Sequence, residues 1–394
     1  MDTRADIIKK IEDLTDLEFA ILLCLVAKES CLIDTPSSTL DDLVKELILI
    51  SREIFGLSYA VIECTADTSL EEFNATILES RRRPSELLQR EENISKARLR
   101  QDKLWCYSFY STPTLKTYCI HLFIANLTLT NGASHRNYTD VSARGNGRNE
   151  TVNVIIARNY DHISQSIQVQ TLEMLRTRRV HTKTATYSLP NNFIFIPILS
   201  SEARQLSSRL NNHLNEYISI SHYHDPSVGL VNLEGDGSSL VDERGSPSSA
   251  AWNSSYTAKL TEKTAVILEE DIDYLRGLIP SVTVSTEVYC YAENIIDFLR
   301  FNRAVFCGIT APATRQFHKI VKCLASLHGV DYVPPSLVAL AAKKIYRHRI
   351  TIAKPQQDRS MMYGSDINAV EKILSSVTPE SIVEDVLAEV EAPL

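Results

Sequence analysis

Apolar residues recur near the start of the chain at Ile8, Ile11, Leu14, Leu17, Leu22 and Leu25, a helical spacing that predicts one helix over residues 5–30. A short apolar piece, Cys31-Leu32-Ile33, follows and stops at Asp34-Thr35-Pro36. Leu43, Leu47, Ile50 and Ile54 then share one face of a helix over 40–55, and 59–64 is strand-like. Strand, loop, helix, strand is the opening of a doubly wound α/β domain. The pattern resumes with a buried-strand run at 152–156, a helix carrying Ile167, Leu172, Met174 and Leu175, and a strand candidate at 193–199 whose later half Pro197 argues against.

Between these blocks the pattern changes. Residues 81–103 are a charged run and 105–133 have no period of 2 or 3.6, so 81–150 reads as an insertion for which no order is predicted. From 229 to 264 the composition shifts to Gly and Ser and predicts a flexible linker. The remainder, 265–394, is helical. Val288, Ala292, Ile295 and Leu299 mark one helix, and Phe317, Ile320, Val321 and Leu324 a second. Pro335 opens a third with Val338, Ala341, Ala342 and Ile345 inward, and Thr378-Pro379-Glu380 caps a fourth. The chain therefore reads as an α/β core, 1–80 with 151–228, followed by a small all-helical domain.

The 394-residue length and 44% apolar content suit an ordinary globular protein of two or three domains. A net charge of −8 argues against nucleic acid as a partner. Eight scattered cysteines without a CxxC exclude a disulfide scaffold and a zinc knuckle. The one N-terminal apolar run, 19–27, is too short to span a bilayer and is preceded by acidic residues, so no membrane association and a cytoplasmic location are expected. His222 and His224 alternate as two ligands on one strand face would, although a strand ending in an Asp-Pro turn accounts for the same residues. No metal is predicted there.

The helical block carries a resemblance. Residues 308–314, Gly-Ile-Thr-Ala-Pro-Ala-Thr, and the stretch 324–350, LASLHGVDYVPPSLVALAAKKIYRHRI, resemble the lid of the MoxR-like AAA+ ATPases, the group that includes the magnesium-chelatase I subunit. The family pattern there runs S-P-R-A, then A-L-x-G-R-x-Y-V-x-P-x-D-V, then L-x-H-R. Gly329, Tyr332, Val333, Pro335, Val338, His348 and Arg349 fit it. The resemblance implies an AAA+-type P-loop-like α/β core before the lid, ATP with Mg²⁺ as the family's cofactor, and assembly into rings.

The nucleotide chemistry that the resemblance implies does not stand at the matching positions. A P-loop needs glycines, a lysine for the β/γ-phosphates and a Ser/Thr for Mg²⁺. The matching stretch here, 34–42, has no glycine; Leu40, after Thr39, stands near the lysine position, Asp41 and Asp42 would repel phosphate, and the nearest lysine is Lys45. The carboxylate pair that should follow the next motif's strand is matched by Arg158 and Asn159, which can neither hold Mg²⁺ nor act as a base. The inter-subunit arginine finger falls at Glu216. The lid arginine falls at Pro312, with Arg315 three residues on and on a shifted face. The expectation is a non-hydrolysing AAA+ relative, with no catalytic or cofactor-binding residue, that serves as a scaffold or regulatory subunit beside a protein partner or within a ring. The alternative is the ATP-driven subunit of a magnesium-chelatase-like complex that inserts Mg²⁺ into protoporphyrin.

Overall fold

The computed structural model describes residues 2–79, 151–183, 185–201, 206–235 and 266–393. The predicted insertion at 81–150 and most of the predicted linker lie outside the described residues.

Five strands form one wholly parallel sheet: β1 (Cys31–Thr35), β2 (Tyr59–Glu63), β3 (Val154–Arg158), β6 (Ile194–Ser200) and β7 (Ile220–Tyr223), in the order β2-β3-β6-β1-β7. The strand alternation sorts their side chains into two cores. Ile33, Val154, Ile156, Ile194, Ile196, Ile198 and Ile220 face one side. Leu32, Ala60, Ile62, Ile155, Ala157, Phe195 and Leu199 face the other. A small hairpin, β4 (Arg179–His181) with β5 (Thr186–Ser188), lies apart from the sheet.

Pro197 does not end its strand. β6 runs on to Ser200, because its pairing with β1 starts just past the proline at Ile33↔Ile198 and holds the backbone beyond it. The single helix expected over 5–30 is two, α1 (Asp2–Glu12) and α2 (Asp16–Ala27). Thr15 caps the second: Glu18 N–H donates to its hydroxyl (3.4 Å) and the Glu18 carboxylate accepts from Thr15 N–H (2.8 Å), a capping box that the apolar spacing runs straight across. α2 is buried almost all round, as a helix wedged between a sheet and a second layer must be.

After β1 comes α3 (Leu40–Leu49), then a π-helical turn (Ile50–Ile54) before β2, and α4 (Leu70–Glu79) follows β2. α5 (Gln165–Thr177) follows β3, and α6 (Asn212–Tyr217) leads into β7. The predicted linker begins as ordered structure. α7 (Val231–Gly235) docks by its N-terminal amides, Asn232 N–H and Leu233 N–H donating to the Glu46 carboxylate at 3.0 and 2.8 Å. The Asn232 side-chain amide also reaches Glu18 at 2.8 Å.

The four predicted helices of the C-terminal block are α9 (Thr286–Phe301), α10 (Ala311–Leu327), α11 (Pro335–Tyr346) and α13 (Pro379–Glu389). The fold adds α8 (Glu269–Leu278), α12 (Ile367–Leu374) and a hairpin of β8 (Val305–Cys307) with β9 (Thr351–Ile352). Gly308 leaves that hairpin at φ +118°, where a Cβ would stand 2.1 Å from Arg349 O. The helical block is bolted to the N-terminal helices. Arg276 donates to Leu25 O (2.6 Å), and Ile8 packs so closely under Gly329 that a Cβ there would meet its Cδ1 at 2.3 Å.

Candidate functional site

In an open parallel sheet, ligands bind outside the carboxyl ends of the strands where the strand order reverses. Here that point is the end of β1, flanked by β6 and β7. The β1–α3 connection is a single 3₁₀ turn (Ser37–Thr39). Thr39 spends its hydroxyl locally, 2.8 Å from Thr35 Oγ1 and donating to Pro36 O at 3.1 Å. Leu40 is 3% exposed and belongs to the core. Asp41, in the first turn of α3, pairs with Arg158 at 2.5 Å.

Arg158 ends β3 and also donates to Glu63 at 2.9 Å, while Asn159, in the left-handed region at φ 52°, donates to the second Glu63 oxygen at 3.2 Å. Thr39, Leu40, Asp41, Arg158 and Asn159 are thus brought to one end of the sheet. The charges there are arranged as Asp41–Arg158–Glu63.

Glu216 and Pro312 lie elsewhere. Glu216 contributes its backbone carbonyl, which accepts from Arg349 at 3.2 Å. Pro312 sits in the first turn of α10 under the Thr310 cap, and Arg315 points to solvent. Next to Arg315, the partly buried Gln316 donates from its amide to Tyr217 O (3.2 Å) and accepts from Arg349.

His222 and His224 lie at the end of β7, with His222 turned to a lysine. Both are buried, and His222 Nδ1 lies 3.1 Å from Lys344 Nζ on α11, so the ring serves as an acceptor for an ammonium. Burial, then Lys344, His224 and Arg347, push the His222 imidazole down to about 3. Burial also lowers His224. Among the described residues no group of three His, Cys, Asp or Glu could hold a metal ion.

Sequence reasoning missed the residues that line the cavity at the end of β1. It has a volume of about 240 Å³ and is lined by Asp34, Ser201, Leu206, Tyr223, Arg347, Pro379 and Glu380. Arg347, just past α11, grips Asp34 with both terminal nitrogens (2.5 and 2.7 Å), donates from Nε to Glu380 (2.7 Å) and lies 5.6 Å from the centre of the Tyr223 ring. Burial pulls the Arg347 guanidinium down, but its bonds to Asp34 and Glu380 outweigh that and leave it raised. The one sequence signal for this was a carboxylate placed directly at the end of a fully buried strand.

The next two residues complete the joint. His348 Nε2 lies 3.0 Å from Ile218 O, Arg349 donates to the same carbonyl at 2.6 Å, and Asn215 donates to His348 O at 2.9 Å. Burial lowers Arg349 to about 10, since its acceptors are carbonyls and an amide rather than a carboxylate.

Comparison with known proteins bears on the fold. Residues 298–372 match the AAA lid domain. The solved structure of a protein from Cytophaga hutchinsonii, described as a "putative ATPase", superposes with a TM-score of 0.55 at 14% identity, covering 100% of this chain and 94% of that one. No curated protein matches the sequence. The chain is similar in fold to that solved structure. Its parallel five-stranded core carries a C-terminal AAA lid, and no described helix is long and apolar enough to cross a membrane.

Proposed function

We propose that this AAA+ ATPase-like chain acts by binding and not by hydrolysis, as a scaffold or regulatory subunit that joins a protein partner or a ring of related subunits. The carrying observation is at the β1–α3 turn. Where a lysine and a Mg²⁺-binding hydroxyl would meet phosphates, Leu40 is buried, Thr39 is bonded within its own turn, and Asp41 is paired with Arg158. Phosphoryl transfer depends almost entirely on electrostatic placement, and in this carboxylate–guanidinium–carboxylate row the cation and both carboxylates are turned to one another.

A second reading rests on the lid. Its match within 298–372 and the motif residues around Gly329 and Arg349 favour an ATP-driven subunit of a magnesium-chelatase-like complex. Calorimetric titration of the full chain with Mg²⁺-ATP and Mg²⁺-ADP separates the two. The binding-only reading predicts no saturable heat and no shift in melting temperature at millimolar nucleotide. Saturable binding with hydrolysis would overturn it in favour of the second. Affinity capture that returns only monomer, without a stoichiometric partner, would count against the scaffold role.

A further inference from the structure

The Asp34–Arg347 pair joins residues 313 apart in the chain, one at the end of β1, an interior strand of the core sheet, and one in the lid. Asp34 is held rigidly. β1 is paired on both sides, opposite Leu199 and Tyr223, and Asp34 O accepts from His224 N–H at 2.9 Å. Its carboxylate is 2% exposed and the Arg347 side chain 16%. A guanidinium offers one planar fork that fits a carboxylate or a phosphate equally well. Arg347 has turned that fork to Asp34 and its remaining nitrogen to Glu380.

Four other bonds fix the same stretch of lid to β7 and its approach. Ser221 donates to Lys344 O (3.3 Å), Lys344 reaches His222, and His348 with Arg349 takes Ile218 O. We infer that the Asp34–Arg347 pair is a built-in clasp that holds the lid on the core without a bound nucleotide, so that the chain presents one fixed core–lid geometry to whatever it binds. The clasp goes beyond the scaffold reading, because it concerns lid position and holds whether or not a nucleotide binds.

The test is hydrogen exchange on the full chain: wild type, Asp34→Asn, Arg347→Met and the double variant. Breaking one side of a buried ion pair leaves the other charge buried and unpaired. Exchange in the turn after α11 (Arg349 and Ile350 N–H, bonded to Tyr346 O) should therefore rise on the order of a hundredfold in each single variant. The double variant should show no further rise, since both changes remove the same tie. β2 and β3, on the far side of the sheet, should keep their protection. Unchanged exchange in the singles, or effects that simply multiply in the double, would overturn the clasp.

A second arm uses wild type alone and so does not depend on any variant folding. Millimolar Mg²⁺-ATP or Mg²⁺-ADP should leave protection of the α11 turn and β7 unchanged, and a nucleotide-dependent rise there would overturn the clasp. Calorimetric heat with unchanged lid protection would instead defeat the binding-only reading and leave the clasp standing.

Discussion

Replacing His222 by Gln should flatten the acid side of this protein's stability profile. His222 is 6% exposed and faces Lys344 Nζ at 3.1 Å, with Arg347 and His224 adding to the positive field. Its imidazole is held at about 3 in the fold, against an ordinary value of 6.5. For a base with a depressed folded pKa, the unfolded chain takes up the proton first, so stability falls as pH drops through 6.5 and goes on falling to about 3. In the middle of that window the slope is about 1.4 kcal/mol per pH unit. Between about pH 7 and pH 5 this one residue should cost the wild type about 2 kcal/mol.

Glutamine has no such proton to bind, and its side-chain oxygen can still accept from Lys344, so the variant removes the titration and keeps the acceptor. Urea unfolding of both proteins at the two pH values reads the difference. His224, His328 and His348, each lowered by burial, contribute equally to both chains and cancel. Wild type should lose about 2 kcal/mol more than the variant on acidification. Equal losses would mean that His222 titrates as an exposed histidine does, and the buried Lys344–His222 contact would be refuted with it.

Leu40→Lys restores the residue type a P-loop would carry, but at a position 3% exposed, so it should destabilise the fold by roughly 3–5 kcal/mol without producing nucleotide binding, measured by urea unfolding and calorimetry. Gly308→Ala should cost at least about 2 kcal/mol, seen as a lower melting temperature, because the new Cβ meets Arg349 O at 2.1 Å on a backbone already at φ +118°. Arg158→Ala should change stability by no more than about 1 kcal/mol, since its partners Asp41 and Glu63 are about half exposed; a larger loss by thermal unfolding would show that the pair carries structural load.

The α/β core and the four main lid helices could be read from the order of residues alone, because a parallel strand buried on both faces is a short continuous apolar run and a packed helix repeats at 3.6. That pattern located β1, α3, β2, β3 and α9 through α11 and set a helical block after the core. It erred where a local bond outweighed periodicity: at Thr15, where a capping box splits a helix, and at Asn232, where two carboxylates hold the start of an apparent linker. The residue types at 39–41 and 158–159 can be read in sequence alone, since a missing glycine or lysine needs no geometry to be noticed.

The Asp34–Arg347–Glu380 cluster was not. Its members are 313 and 33 residues apart, and nothing local distinguishes Arg347 from the solvent-facing Arg315. Only the parallel crossover that sets β1 between β6 and β7, and the lid packed over that end, carry the guanidinium to the carboxylate. Residue type and spacing determine which elements form and what chemistry each position can offer. Long-range packing decides which charges meet, because Coulomb and hydrogen-bond energies depend on distances in space that the chain order does not contain.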